Sequence, residues 1–423
     1  MRRKFRVAAK LFWYRLVLLA AFCWRRLMFR TRFIAITGSV GKTTAKNLLA
    51  ALLRDMPART LSTRHSSNDV KHIARDLLRV RPWHRFVVLE AGTDQPGWIR
   101  RCSWLIGPDI AIILAVARTH TKSFHTLDET AEEKASLLSG LRRNGVAILN
   151  EDDPRVAAMA GKCRTRIIRF GCSPNADVRA RSVLSQWPER LSLSIETREG
   201  IHQTRTQLVG THWTPSVLAA SAAALECGIP LHQVAKLISR VPPATARIEP
   251  AILPCGAVIL RDDVNGSLDT FLAAFETLKN AQAQRKILVI TTVGDSPESW
   301  NHRLARIAAA ASTVVDLLVL VGKKRDTKRA GKVAVVGGLA PEGLHQFQHL
   351  SDVAAFLKRT LRLGDLVLLR GRMGDHLARL YHAQLREVAC WKDDCGKKTL
   401  CDYCPELFPE LNAAKTANHG ALF

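Results

Sequence analysis

A chain of 423 residues that is 47% hydrophobic and 24% charged can bury a core and is too apolar to be disordered. At roughly 100–200 residues per domain it has room for two or three domains. The formal net charge of +26 suits a polyanionic partner, whether nucleic acid, anionic lipid or a phosphorylated metabolite, but no helix-turn-helix, RNP or zinc-finger spacing selects nucleic acid.

In chain order, residues 1–32 carry ten Lys or Arg and no acid. Their longest uncharged run, Leu16 to Trp24, is nine residues, against the about 20 a spanning helix needs. No small-residue cleavage site follows, so a signal peptide is not expected. A basic, aromatic-rich helix resting on an anionic membrane surface and a helix packed on the protein itself are the two readings left open.

From residue 33, short apolar runs ("RFIAITG", "RFVVLEAG", "DIAIILAV", "GVAILN", "RIIRFG") alternate with amphipathic stretches, the pattern of a parallel sheet with helices on both faces. The first run ends in Thr37-Gly38-Ser39-Val40-Gly41-Lys42-Thr43-Thr44. This is shorter than the common P-loop, which places a glycine four residues before Gly-Lys-Ser/Thr, where Ile36 stands here. The physics survives the shorter form. Backbone N–H groups at a helix N-terminus face phosphate, Lys42 neutralises the β and γ groups, and the Thr43 hydroxyl can ligate Mg²⁺. Glu90 and His120 follow other strands of the same sheet, where parallel sheets place their chemistry. Each alone reads as structural; with the phosphate loop they form a Mg²⁺ ligand set, His120 being the less natural member.

Beyond residue 180 the pattern turns to antiparallel strands with a turn near Gly200, then a helix over 215–225. "SRVPPATARIEP" reads as a hinge. A second alternating block follows: "AVILRDD", "KILVITTVGD", "LLVLVGKK", "KVAVVGG" and "DLVLLRGR". The tail "CWKDDCGKKTLCDYC" gathers Cys390, Cys395, Cys401 and Cys404. Structural Zn²⁺ is the default reading, with an iron–sulfur cluster or unligated thiols as alternatives. The six other cysteines are scattered, and a reducing compartment without disulfides is expected.

These pieces, in this order, resemble the Mur ligase family, most nearly its D-alanyl-D-alanine-adding branch. The loop Thr37–Thr43 is similar to the family's TG-[ST]-x-GKT. "VVLEAGTDQPG", "PDIAIILAVARTHTKSFHTLDETAEEK", "GVAILNEDD", Ala246-Arg247-Ile248-Glu249 and Asp262-Asp263-Val264-Asn265 match further family segments. The resemblance spans about residues 33–385. It implies a phosphate-loop ATPase domain with a mostly parallel sheet and a smaller Rossmann-like α/β domain. The boundaries expected are 1–32 for the basic segment, 33–246 and 247–386 for the two domains, and 387–423 for the cysteine tail.

The resemblance also implies a cytoplasmic, ATP-dependent ligase that joins a carboxylate acceptor to an amine through an acyl phosphate. Gly38 to Thr44 would hold the phosphates; Thr43, Glu90 and His120 would hold Mg²⁺. Lys134 matches a lysine that several members carbamylate, Arg247 would reach the phosphates, and Asp262 with Asn265 would serve the nucleoside. Asn68 matches an asparagine-rich segment near the carboxylate substrate, with a plain helix N-cap as the bland alternative.

Three departures stand out. Only the basic segment precedes the loop, so the family's nucleotide-sugar-binding first domain is not expected. The adenine-contacting "G.HN..N..AA" reads "GTHWTPSVLAA", replacing both asparagines with Trp213 and Ser216, which leaves open adenine stacking on Trp213 or a changed nucleotide preference. The late "KGS" reads Arg370-Gly371-Arg372, and Arg370 is expected to bind an anionic amino substrate. A nucleotide-binding scaffold without ligase activity and a nucleic-acid-associated ATPase are the rival classes.

Overall fold

The computed structural model describes residues 2–63, 68–92, 94–118, 123–264, 266–292, 294, 298–393, 395–397 and 399–409, with side chains from residue 12 onward. The chain divides into two units. The first runs to residue 185 and takes in 190–207 and 211–242; the second takes 186–189, 208–210 and the described chain from 243 onward. The division falls inside the proline-rich stretch, at residue 243 rather than 247.

The first unit contains α1 (Arg2–Leu27), β1 (Arg32–Thr37), α2 (Lys42–Arg54), β2 (Arg59–Ser62), α3 (Val70–Arg79), β3 (His84–Glu90), α4 (Trp98–Ile106), β4 (Ile110–Ile113), α5 (Leu127–Ala135), β5 (Val146–Asn150), α6 (Pro154–Ala157), β6 (Arg166–Gly171), β7 (Val178–Leu184), β8 (Ser192–Thr197), β9 (Gly200–Arg205), α7 (Thr214–Glu226) and α8 (Leu231–Ile238). One sheet runs β2-β3-β1-β4-β5-β6-β7-β8-β9. Pairings from β2 to β7 are parallel; β7–β8 and β8–β9 are antiparallel. Strands β1, β4 and β5 are buried almost end to end, as expected where helices cover both faces of a parallel sheet. Strand order reverses at β1, which lies between β3 and β4. Such a switch point opens a crevice at the strands' carboxyl ends.

The basic N-terminal segment is helical and docks on this unit. Ala21 is fully buried, and Val17, Leu18, Phe22 and Trp24 pack against the core that α3 and α4 line. The Trp24 indole donates to Val80 O at 2.9 Å. Among the described residues, no helix is long and apolar enough to cross a membrane.

The second unit contains β10 (Glu249–Ile252), β11 (Val258–Asp262), α9 (Leu268–Lys279), β12 (Arg285–Ile290), α10 (Trp300–Ala311), β13 (Leu317–Val321), α11 (Lys324–Val336), β14 (Leu344–Phe347), α12 (Leu350–Thr360), β15 (Asp365–Arg370) and α13 (Ala378–Leu385). Its sheet runs β10-β11-β15-β12-β13-β14, parallel except for β10–β11. One strand expectation fails here. "KVAVVGG" lies at the end of α11 and the paired strand is β14. Burial of Thr327, Ala330, Gly331 and Ala334 has helical period and leaves Val336 90% exposed, so the valine run's β-propensity yields to packing.

Candidate active site

The phosphate loop leaves β1 and enters α2 through backbone only glycine tolerates. Gly38 has φ 151° and Gly41 has φ 81°. A Cβ on Gly38 would lie 2.9 Å from Leu114 Cβ, and one on Gly41 would lie 2.6 Å from Ser216 Oγ. The loop is laced to the chain after β4: Ser39 N donates to Ala115 O at 2.8 Å, and Ser39 Oγ donates to Ala117 O at 3.0 Å while accepting from Ala117 N at 2.9 Å. Lys42 Nζ donates to Gly38 O at 2.7 Å, which lays the ammonium across the loop.

Neighbouring strands supply the rest. Glu90 ends β3, beside β1, and is 1% exposed. Its Oε2 accepts from Thr43 Oγ1 at 2.9 Å and its Oε1 from Asn68 Nδ2 at 3.1 Å. Asn68 is not the helix cap; Asp69 is, accepting from His72 N at 2.9 Å. Asn68 Nδ2 is thereby left to meet the carboxylate, close against Gly92, where a Cβ would lie 2.4 Å from it. Thr63, which sequence reasoning missed, accepts from Glu90 N at 3.0 Å; its partner lies 27 residues on, and no local pattern signals the pair.

Lys134 lies near the end of α5, only 2% exposed. Burial, reinforced by the Lys42 cation and opposed by Glu133, pulls its ammonium down to about 7. A lowered pKa raises the neutral fraction of this amine, and the neutral form is the nucleophile. Glu133 is occupied elsewhere, accepting from Gly97 N and Ile99 N at 2.7 and 2.8 Å at the start of α4.

Nucleoside triphosphate and Mg²⁺ fit these residues. The first turn of α2 presents N–H groups, and among the described residues the buried hydroxyls of Thr37, at the end of β1, and Thr44, in α2, find no hydrogen-bond partner. Thr43 Oγ1 and Glu90 Oε2 are two hard oxygen donors already 2.9 Å apart. Val40 completes the loop between Ser39 and Gly41. His120 lies outside the described residues. Trp213 is buried at 7% exposure, so it offers no open face for stacking adenine, and Ser216 donates to Gly41 O at 3.2 Å.

In the second unit, Asp262 ends β11 and is ion-paired with Arg370 at the end of β15. Arg370 has no exposure and also donates to Ser267 O at 3.1 Å and Thr270 Oγ1 at 2.5 Å. The expectation that Arg370 greets a substrate is corrected by that burial. The arginine with 56% side-chain exposure is Arg372, donating to Thr292 Oγ1 at 2.9 Å. Burial pushes the Asp262 carboxyl up, against the pull of Arg370 and Arg247. Arg247 sits between two non-glycine residues of positive φ, Ala246 at 58° and Ile248 at 50°. Glu249 accepts from Ala246 N at 2.9 Å, and the Ile248 backbone bonds Asp262. Asn265 lies outside the described residues.

The cysteine tail packs on this unit. Cys390, Cys401 and Cys404 join Leu407, Phe408 and Val388 in an apolar cluster. Cys395 and Cys401 approach opposite nitrogens of His376, at 3.1 Å from Nε2 and 3.4 Å from Nδ1. Burial pushes the Cys401 thiol up to about 11. Among the described residues, no group of three or more His, Cys, Asp or Glu is arranged to hold a metal ion. The thiols take part in packing and in contacts to His376.

Family models describe the same two regions. Residues 36–224 match the Mur ligase middle domain, and residues 247–373 match the Mur ligase glutamate ligase domain. A UDP-N-acetylmuramoyl-tripeptide–D-alanyl-D-alanine ligase from Mycobacterium bovis is 27% identical over 377 residues, covering 84% of this chain and 73% of the relative. Among solved structures, MurF from Acinetobacter baumannii superposes with a TM-score of 0.80 at 23% identity, over 88% of this chain and 81% of that one. MurF from Thermotoga maritima, solved in complex with ADP, superposes with a TM-score of 0.76 at 17% identity, over 88% and 83%.

Proposed function

Because the chain belongs to the Mur ligase family, and is thus an ATP-dependent ligase that forms amide bonds, we propose that it activates a carboxylate of a cell-envelope or polymer precursor as an acyl phosphate. A carboxylate oxygen attacks the γ-phosphorus, the β–γ bridging P–O bond breaks and ADP leaves. The amine substrate then attacks the acyl carbon, the C–O bond to phosphate breaks, and the amine loses a proton. The observation that carries this reading is the convergence of Lys42, Thr43, Glu90 and Asn68 at one strand end.

Lys42 offsets charge on the transferring phosphoryl group, and the loop N–H groups orient it. Mg²⁺, held by Thr43 and Glu90 with His120 as the resemblance implies, would neutralise phosphate oxygens. Lys134, about half neutral at pH 7, adds in its neutral form to CO₂ with loss of one proton and carries the carbamate the resemblance implies; the carboxylate so formed would supply oxygen donors where an ammonium would repel a cation. Asn68 faces the acceptor carboxylate. Arg247, Asp262 and Asn265 serve the nucleotide, with Asp262 held by Arg370. Arg372 is the group an anionic amine substrate would meet. The reaction takes place on the cytoplasmic side, where ATP is available.

The test is an ADP-release screen of purified protein against envelope precursors and amino acids, starting with a muramoyl peptide and D-alanyl-D-alanine, the substrates named for its relatives. Lys42→Ala is expected to lower substrate-dependent ADP release roughly 100-fold or more. Release at the wild-type rate would remove Lys42 from the chemistry.

A further inference from the structure

We infer that the outward face of α1 is a docking surface for an anionic lipid bilayer. The inward face is committed to the protein. Besides the contacts of Ala21 and Trp24, Arg25 is buried and donates Nε to Ile106 O at 2.5 Å and Nη2 to Gly107 O at 2.7 Å. The second half of the helix is therefore fixed to the first unit, and its other side has a fixed direction.

At 3.6 residues per turn, Phe12, Leu16, Leu19, Cys23 and Leu27 fall in one stripe opposite the docked side. Phe12 is 65%, Leu19 58% and Leu27 63% exposed. Trp13 lies along one flank of the stripe and Arg15 and Arg26 along the other. Phe29 and Trp104 extend the patch, both exposed, with the Arg26 guanidinium stacked 3.1 Å above the Phe22 ring, itself stacked on Trp104. A surface helix of a globular protein turns its polar side to water. This helix is apolar on both sides, so its outer side calls for a non-aqueous neighbour.

Charge identifies that neighbour. The sequence holds no acid before Asp55, while residues 2–10 alone contribute Arg2, Arg3, Lys4, Arg6 and Lys10. Aromatic and leucine side chains flanked solely by cations match the interface of an anionic bilayer, where rings sit among headgroups and cations meet lipid phosphate. Spanning is not available: no described helix is long and apolar enough, and Arg25 is anchored in protein. The helix lies in the plane of the interface and holds the first unit against it. This inference stands on α1 with its neighbours Phe29 and Trp104 and does not depend on the ligase reading.

The test is co-sedimentation of the full chain with vesicles of mixed phosphatidylglycerol and phosphatidylethanolamine, and with phosphatidylcholine alone. Wild type is expected to pellet with the anionic vesicles and to be released by salt. Replacing Phe12, Leu16 and Leu19 together by serine is expected to weaken pelleting more than about tenfold, with thermal unfolding little changed because none of the three belongs to the core on which α1 docks. In parallel, brominated lipid should quench the fluorescence of wild type more than that of Trp13→Phe, a readout that survives any misfolding of the triple variant. Wild type remaining in the supernatant, or the triple variant pelleting equally, overturns the proposal. So does a concentration-dependent dimer in light scattering that the same three serines abolish, which would assign the face to a second copy of the chain.

Discussion

Lys134 is the side chain whose chemistry most depends on its surroundings. In water its ammonium would hold its proton at any physiological pH; here burial and Lys42 bring it to about 7. The folded pKa lies below the unfolded value of 10.5. Between pH 7 and 10.5 the unfolded chain therefore binds a proton that the folded chain does not, and this residue's contribution to stability rises with pH across that window. Below pH 7 the cost of burying the charge is fully present. Lys134→Met should therefore be most stabilising, relative to wild type, near pH 7, and its advantage should shrink toward pH 9 by at most about 1.4 kcal/mol per pH unit. Denaturant unfolding of both proteins at several pH values reads this directly; parallel curves would mean the amine is not neutral in the fold. Isotope-labelled bicarbonate should give wild type a carbamate carbon resonance that Lys134→Met lacks.

Among the described elements, the turn inside the proline-rich stretch that leads into β10 holds two non-glycine residues of positive φ. Positive φ at Ala246 and at β-branched Ile248 costs of order 1–2 kcal/mol each, and such backbone persists only where its surroundings over-determine it. The surroundings here include the cysteine tail. Asp402 pairs with the buried Arg261 through both oxygens, at 2.7 and 2.9 Å, and meets His382 at 3.1 Å. Arg261 Nη1 lies 3.6 Å from Glu249, the residue that accepts from Ala246 N. Tyr403 Oη reaches Thr245 Oγ1 at 3.5 Å. Although burial raises it, hydrogen bonds from His382 and Arg261 hold the Asp402 carboxyl well below the usual range. Its stabilising contribution is thus complete above the unfolded pKa, near 4, and is lost as pH falls below that. Asp402→Asn removes the carboxylate that meets Arg261 through both oxygens, leaving Asp263 and Glu249 at 3.5 and 3.6 Å, and should destabilise the protein by about 2 kcal/mol. If Arg247 serves the nucleotide from this turn, kcat should fall while KM for the acceptor holds, and Asp402→Glu should recover part of the loss. Wild-type kcat in Asp402→Asn would show that the tail does not position the turn.

For the chain as a whole, +26 is a large charge, and most of it lies outside α1. It promises salt-dependent association with polyanions of any kind, which is not the same as a nucleic-acid function. ADP release should be unchanged by DNA or RNA at physiological salt. Severalfold stimulation would favour a nucleic-acid-associated ATPase over a ligase.

Contiguous residues were enough to specify the phosphate loop, because glycine φ freedom, a lysine and a helix start act within a single turn. The same is true of the parallel strands, whose unbroken apolar runs report burial on both faces, and of the long ordered series of family segments. Where function depended on partners far apart in the chain, tertiary structure decided. Glu90 meets Thr43 from 47 residues away and Asn68 from 22, and with Asp69 as the cap this contact sets aside the helix-cap alternative for Asn68. Arg370 meets Asp262 across 108 residues, which took the arginine off the surface. The valines of α11 and the buried Trp213 read wrongly for the same reason. Residue type sets what a side chain can do, but burial, neutral or charged form and choice of partner depend on what the fold packs against it, and local sequence does not encode that.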